Sequence, residues 1–233
     1  MTKVAIVQSN YIPWRGYFDL IRSADVFVLY DDVQFTRRDW RNRNLIRTPQ
    51  GLHWLSIPVK NRGRYTQKIQ DVEVSDRDWA AKHWQTISAS YRKAAGFAAM
   101  GGPLEELYAQ CQPLERLSDI NQRLLGGINR LLGIPTPLIF SSSLPTVPGR
   151  TENLVNLCAA LKADTYLSGP AAKVYLQHDL FEQRNIAVQY FDYAGYPAYP
   201  QVHGEFEPAV SVLDLLLNTG PTAATYLQRS AHD

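Results

Sequence analysis

Val4-Ala5-Ile6-Val7-Gln8-Ser9-Asn10-Tyr11-Ile12-Pro13-Trp14-Arg15-Gly16-Tyr17-Phe18-Asp19-Leu20-Ile21 is the stretch whose reading decides the fold. Its first four residues form a short apolar run, the mark of a buried strand. Ser9 and Asn10 follow, both of types that cap helices. Pro13 stands where a first helical turn tolerates proline. Trp14, Tyr17, Phe18 and Ile21 then recur at i, i+3, i+4 and i+7, one face of a helix. A strand feeding straight into a helix places the residues between them at the strand's carboxyl end. Ligands of open α/β sheets bind there, so Gln8, Asn10 and Tyr11 become candidate binding residues.

Val26-Phe27-Val28-Leu29-Tyr30 is a second apolar run, closed by Asp31-Asp32 and followed by Val33-Gln34-Phe35. Strand, helix and strand within about thirty residues make a βαβ unit. Asp31, Asp32 and Gln34 then share the sheet edge of Gln8 and Asn10. Two carboxylates at a strand end can hold a metal or a ribose or act as a base. Equally, one can close a turn while the other pairs with an arginine.

Thr36 to Thr48 has no clear period and reads as a loop or irregular helix. Within it, Arg41, Asn42, Arg43 and Asn44 alternate rigid guanidinium forks with neutral hydrogen-bonding groups, a pattern suited to phosphate oxygens. Phe35 and Trp40 beside them can stack on a base. Between Arg37 and Lys68 nine basic residues face one acid, Asp39, a local charge of +8 in a chain of net charge +2. Such a field points to an anionic ligand, with a solvated arginine-rich loop as the bland alternative.

Further along, Gly51 to Val59 reads as a strand and Ile69 to Val74 as a short one. Ser75 or Asp76 is placed to cap a helix carrying Trp79, His83, Ile87 and Tyr91 four apart. His83 on that stripe is a minor catalytic candidate beside its reading as a core histidine. Pro103 to Leu132 is helical in pattern, broken near Gln112-Pro113, with Ser118 as an N-cap. These helices read as an insert over about residues 77–133, or as a dimer surface. Pro137 to Ser141, Asp164 to Ser168 and Ile186 to Tyr190 are further strands, and Thr151 caps a helix before the second of them. Ser168-Gly169 opens a helix and offers backbone N–H groups to an anion or a nucleotide edge. In the tail, Asp214 lies by an apolar stripe and needs a partner, expected to be an arginine.

The 233 residues are 45% hydrophobic, ordinary for a chain that buries a core. The order of elements predicts a single α/β domain over 1–233 with a three-layer core. No run of about 18 apolar residues and no signal-like leader is seen, so no membrane partner and a cytoplasmic location are expected. Cys111 and Cys158 lack metal-ligand spacing and read as free thiols. No metal site is indicated.

The chain resembles the WbqC-like family of bacterial proteins, found among genes for O-antigen and other surface polysaccharides. The resemblance rests on Gln8-Ser9-Asn10-Tyr11-Ile12-Pro13-Trp14-Arg15-Gly16-Tyr17-Phe18-Asp19, Asp31-Asp32-Val33-Gln34-Phe35, Arg41-Asn42-Arg43-Asn44, Trp54-Leu55-Ser56-Ile57-Pro58-Val59, Tyr166-Leu167-Ser168-Gly169-Pro170, Tyr199-Pro200-Gln201 and Ser211-Val212-Leu213-Asp214-Leu215-Leu216-Leu217-Asn218. Ser9 stands where the family leads one to expect proline. The resemblance implies an aminoacyl (glycyl) or acyl transferase that forms an amide on the amino group of a nucleotide-activated sugar. In that reading Arg41 and Arg43 hold phosphate, and Asp31 or Asp32 accepts the amine proton. Gln8 and Asn10 orient the acceptor, while Tyr11 and Trp14 line the pocket. The shared motifs add Gly16, Tyr199, Gln201 and Asp214 to the binding set.

A weaker similarity, to nucleotidylyltransferases and pantothenate-synthetase-like enzymes, lies in the strand, proline turn and glycine-bearing helix of residues 4–21. It implies a Rossmann-like fold. Both histidines of those enzymes are missing here, which puts their adenylyl transfer in doubt. The alternatives to a transferase are an ATP- and magnesium-dependent ligase on the same fold and a non-catalytic binding or scaffold protein. The expected partners are an anionic nucleotide sugar and an acyl or aminoacyl carrier. Nucleic acid is not expected, and a homodimer is left open.

Overall fold

Val4, Ala5 and Ile6 are apolar on both sides of the chain, which suits a strand covered on both faces. In the computed structural model, which describes residues 1–227, they form the centre of β1 (Lys3–Val7). The chain runs on through α1 (Arg15–Arg22), β2 (Val26–Leu29), β3 (Arg43–Thr48) and β4 (Gly51–Ser56). Then come α2 (Trp79–Tyr91), α3 (Phe97–Cys111), α4 (Leu117–Leu131) and β5 (Leu138–Phe140). The last part holds α5 (Arg150–Ala160), β6 (Thr165–Ser168), α6 (His178–Glu182), β7 (Ala187–Tyr190) and α7 (Val212–Thr219).

Five strands form one sheet in the order β5-β2-β1-β6-β7. Every neighbouring pair is parallel, with Val4 opposite Val26 and Val4 also opposite Tyr166. The chain starts in the middle, builds outward through β2 to β5, and crosses back to build β6 and β7 on the other side. β1 and β6 therefore flank a topological switch point, the arrangement of a Rossmann-like doubly wound sheet.

Alternation along the strands divides the core in two. Ala5, Phe27, Leu29 and Leu167 pack with α1, α7 and the helices α2–α4. Val4, Ile6, Val28 and Tyr166 pack with Leu154, Leu157 and Cys158 of α5 and Phe181 of α6. The result is the expected three layers. The hairpin β3–β4 and the helices α2–α4 all lie between β2 and β5 in the chain.

Several local expectations give way. Arg43–Thr48, read as loop or irregular helix, is a strand paired antiparallel with β4 from Arg43–Ser56 to Thr48–Gly51. Its inward residues are Asn44, Ile46 and Thr48, and two of those three are polar, which hides the alternation. Neither Ser9 nor Asn10 caps α1, whose first residue is Arg15 after Trp14. Neither Ser75 nor Asp76 caps α2, which starts at Trp79. Ser118 lies inside α4 and turns its hydroxyl to Asp31. Thr151 likewise lies inside α5, behind Gly149. Among the described residues no helix is long and apolar enough to cross a membrane.

Candidate functional site

β1 ends at Val7, and the chain from Gln8 to Trp14 crosses the carboxyl edge of the sheet before α1 begins. Buried hydrogen bonds hold this segment. Asp31, 1% exposed, accepts from the Ser9 N–H (2.8 Å), the Ser9 hydroxyl (2.7 Å) and the Ser118 hydroxyl (2.5 Å). Asn121 of α4 donates to the Ser9 hydroxyl at 3.0 Å and to the Arg41 carbonyl at 2.9 Å. Ile12 has φ 38°, rare for a β-branched residue and worth about 1–3 kcal/mol of strain. The Asn44 side-chain amide holds it there, donating to the carbonyls of Tyr11 (3.1 Å) and Ile12 (3.0 Å). The polar inward residue of β3 thus clamps the loop after β1.

Beside this loop a cleft of about 830 Å³ opens at the switch point. Gln8, Tyr30, Gln34, Arg41, Arg150, Ser168, Gly169, Tyr175 and Tyr193 line it. Arg41 comes from the stretch before β3. Its guanidinium donates to Asn10 Oδ1 and lies 3.4 Å from Asp39. Arg150 is the first residue of α5, so the positive end of that helix dipole adds to its own charge. Gly149 just before it has φ 98°, a conformation that favours glycine. The Arg150 guanidinium stacks on Tyr175, 3.3 Å from the ring centroid. The Tyr30 hydroxyl accepts from Asn153 at 2.9 Å. Burial raises its pKa, so Tyr30 keeps its own proton as a donor. Burial likewise pushes Tyr193 up to about 12.

Of the residues singled out from sequence, Gln8, Gln34, Arg41, Ser168 and Gly169 meet at this cleft. Gln34 also donates to the Tyr65 carbonyl at 2.9 Å. Asn10 and Trp14 line a neighbouring pocket of about 400 Å³. Asp32, half-buried three residues past the end of β2, accepts from the Ser141 hydroxyl.

The others have structural places. Asp31 has its oxygens occupied by three donors, and burial raises its pKa against them. A cation held between Asp31 and Asp32 would have to displace those donors. Tyr11 is buried and its hydroxyl joins His83 Nδ1 (2.7 Å) to the Tyr108 hydroxyl (2.7 Å). His83 is 8% exposed and burial lowers its pKa to about 4, so it is neutral and sits in the helical layer. Gly16 makes room for the Trp14 ring, since a Cβ there would run into it. Asn42 donates to the Ile57 carbonyl at 2.9 Å. Arg43 lies over Trp54, 4.2 Å from its ring centroid. Tyr199 (2.9 Å) and Gln201 (2.7 Å) donate to Asp214, as does Tyr91 (2.7 Å). The donors on this fully buried carboxylate are neutral, and the expected arginine acts on it only through the field of Arg47, without a hydrogen bond.

Among the lining residues not singled out from sequence are Tyr30, Arg150, Tyr175 and Tyr193. Arg150 carried a signal, a glycine and an arginine at a helix start that follows a parallel strand.

Fold and cleft define a doubly wound α/β protein with a cationic, tyrosine-lined cleft at its switch point. The chain belongs to the WbqC-like protein family, which matches residues 8–226. It is 50% identical over 228 residues to the uncharacterized protein Rv1507c of Mycobacterium tuberculosis, spanning 98% of each chain. No solved structure matches the chain.

Proposed function

We propose that the switch-point cleft binds a nucleotide-activated amino sugar and that the protein transfers an acyl or aminoacyl group to the sugar's amine from an acyl or aminoacyl carrier. The amide C–N bond forms as the acyl carbon's ester or thioester bond to the carrier breaks, and the carrier leaves with the proton given up by the amine. The observation that carries this is the meeting of Arg41 and Arg150, from separate elements, in one cleft at the carboxyl edge of a parallel sheet. Two guanidinium forks beside a helix N-terminus fit a diphosphate. Tyr30, Tyr175 and Tyr193 supply ring faces and hydroxyl donors for sugar or base. Gln8 and Ser168 add neutral polar contacts on the central strands. Amide formation needs a group to take the proton lost by the attacking amine. Asp32, half-buried and held by one serine at this edge, suits that role better than Asp31 with its three donors.

Titration calorimetry with UDP- and GDP-linked amino sugars tests the reading. A charged hydrogen bond contributes about 1.5–3 kcal/mol, so Arg150→Ala is expected to weaken binding roughly ten- to a hundredfold. Absence of binding to every nucleotide sugar, or equal affinity in Arg150→Ala, would overturn it.

A further inference from the structure

Next to the cleft lies a second pocket of different chemistry, about 400 Å³ in volume. Its lining is Asn10, Pro13, Trp14, Trp40, Asn44, Pro208 and Ala209, with no charged side chain among them. Two side-chain pairs form the wall between the two cavities. Asn10 of the pocket accepts a hydrogen bond from Arg41 of the cleft. Trp14 of the pocket packs on Tyr193 of the cleft, with ring centroids 5.4 Å apart. Trp40 is fixed as well: the Tyr11 N–H donates to its carbonyl at 3.0 Å. Trp40 leans on Trp54 at 5.5 Å.

We infer that this pocket is the donor chamber, and that it takes the neutral, apolar acyl part of the donor with its carbonyl toward Asn10. This rests on the reading of the cleft as the acceptor's site. Tryptophan and proline walls favour an apolar group over an ion. Asn44 is unavailable to a ligand, because its amide holds two carbonyls and its Oδ1 accepts from the Leu45 N–H at 2.8 Å. Asn10 has its oxygen held by Arg41, so what it offers a ligand is its amide N–H groups. Those call for an acceptor, as a carbonyl provides. A carbonyl seated there lies at the wall shared with the cleft, on the side of the acceptor.

The test labels the protein with 5-fluorotryptophan and follows Trp14 and Trp40 by fluorine NMR during titration with hexanamide and benzamide, neutral carbonyl probes. Both resonances are expected to shift saturably. Ala209→Trp, which fills the pocket, should weaken amide binding at least about tenfold, equivalent to ~1.4 kcal/mol. The same variant should bind UDP-linked amino sugars within about twofold of the parent, a difference of ~0.4 kcal/mol. Amide titrations that leave Trp14 and Trp40 unmoved, or equal amide affinity in Ala209→Trp, would overturn the donor chamber and leave the cleft standing. Loss of nucleotide-sugar binding in the parent with amide binding intact would instead sink the acceptor reading, and the donor assignment with it.

Discussion

His83→Asn should remove most of the acid sensitivity of this fold. The His83 imidazole is 8% exposed. Its Nδ1 faces the Tyr11 hydroxyl at 2.7 Å, and its other nitrogen bonds the Ser56 backbone. Nε2–H therefore donates to the Ser56 carbonyl while Nδ1 accepts from Tyr11. Tyr11 in turn accepts from Tyr108. A proton on Nδ1 removes that acceptor and turns two donors on each other in a buried site. Burial is the main cause of the drop from 6.5 to about 4. A histidine whose folded pKa is depressed contributes stability present above its unfolded pKa and lost as pH falls through the folded one. The window is thus pH 6.5 down to about 4, and about 2.5 units correspond to roughly 3 kcal/mol. That is a large share of the ~5–15 kcal/mol of an ordinary domain. Asp31 and Asp214 act in the opposite direction. Burial raises both pKa values, so each favours the folded state more once pH falls below its folded pKa. Both chains carry these carboxylates, so the difference between parent and variant isolates His83. Asparagine keeps an oxygen near the position of Nδ1 and cannot titrate. Urea unfolding at pH 7.5, 6, 5 and 4.5 should show the parent losing about 1.4 kcal/mol per pH unit relative to His83→Asn below pH 6. Parallel stability curves would refute the assignment.

Three more outcomes are expected. Tyr91→Phe removes a donor to Asp214 and an acceptor of the Arg47 N–H (2.9 Å), leaving a buried carboxylate and a half-buried N–H each short of a partner. It should cost about 2–4 kcal/mol in denaturant unfolding, and a loss under 0.5 kcal/mol would contradict that picture. Gly96→Ala places a Cβ 2.7 Å from Gly220 Cα. Backbone cannot rotate aside there, so stability should fall by about 1–3 kcal/mol despite alanine's better helix propensity; a more stable variant would refute this. Asn44→Leu frees the carbonyls of Tyr11 and Ile12 and with them the φ of Ile12. Hydrogen exchange of residues 8–14 should accelerate by about tenfold or more, while unchanged protection would show that packing alone holds the loop.

The central βαβ unit was legible because β1 and β2 carry unbroken apolar runs and α1 a clean period of 3.6. β3 was not, since Asn44 and Thr48 point inward and Arg43, Leu45 and Arg47 do not, so polarity fails to mark the buried face. The site was legible in half. Gln8, Gln34, Arg41, Ser168 and Gly169 sit where strand ends had to converge. Asp31 and Asp32 look equivalent in sequence, yet past the end of β2 at Leu29 the irregular chain sends them to different partners. One meets Ser9 and Ser118 inside, and the other meets Ser141 at the edge. Arg150 stood outside the +8 segment and so outside the charge count. Tyr199, Gln201 and Asp214 are close in sequence and polar, the look of a binding motif, but they bind one another and Tyr91. Whether a polar cluster faces a ligand or itself depends on long-range packing, which local pattern does not encode.

The most direct measurement is a crystal structure of the protein with a UDP-linked amino sugar. The diphosphate is expected between Arg41 and Arg150, with the sugar amine near Asp32 at the carboxyl edge of the sheet. A diphosphate bound on the hairpin arginines or elsewhere, with the switch-point cleft empty, would contradict the account.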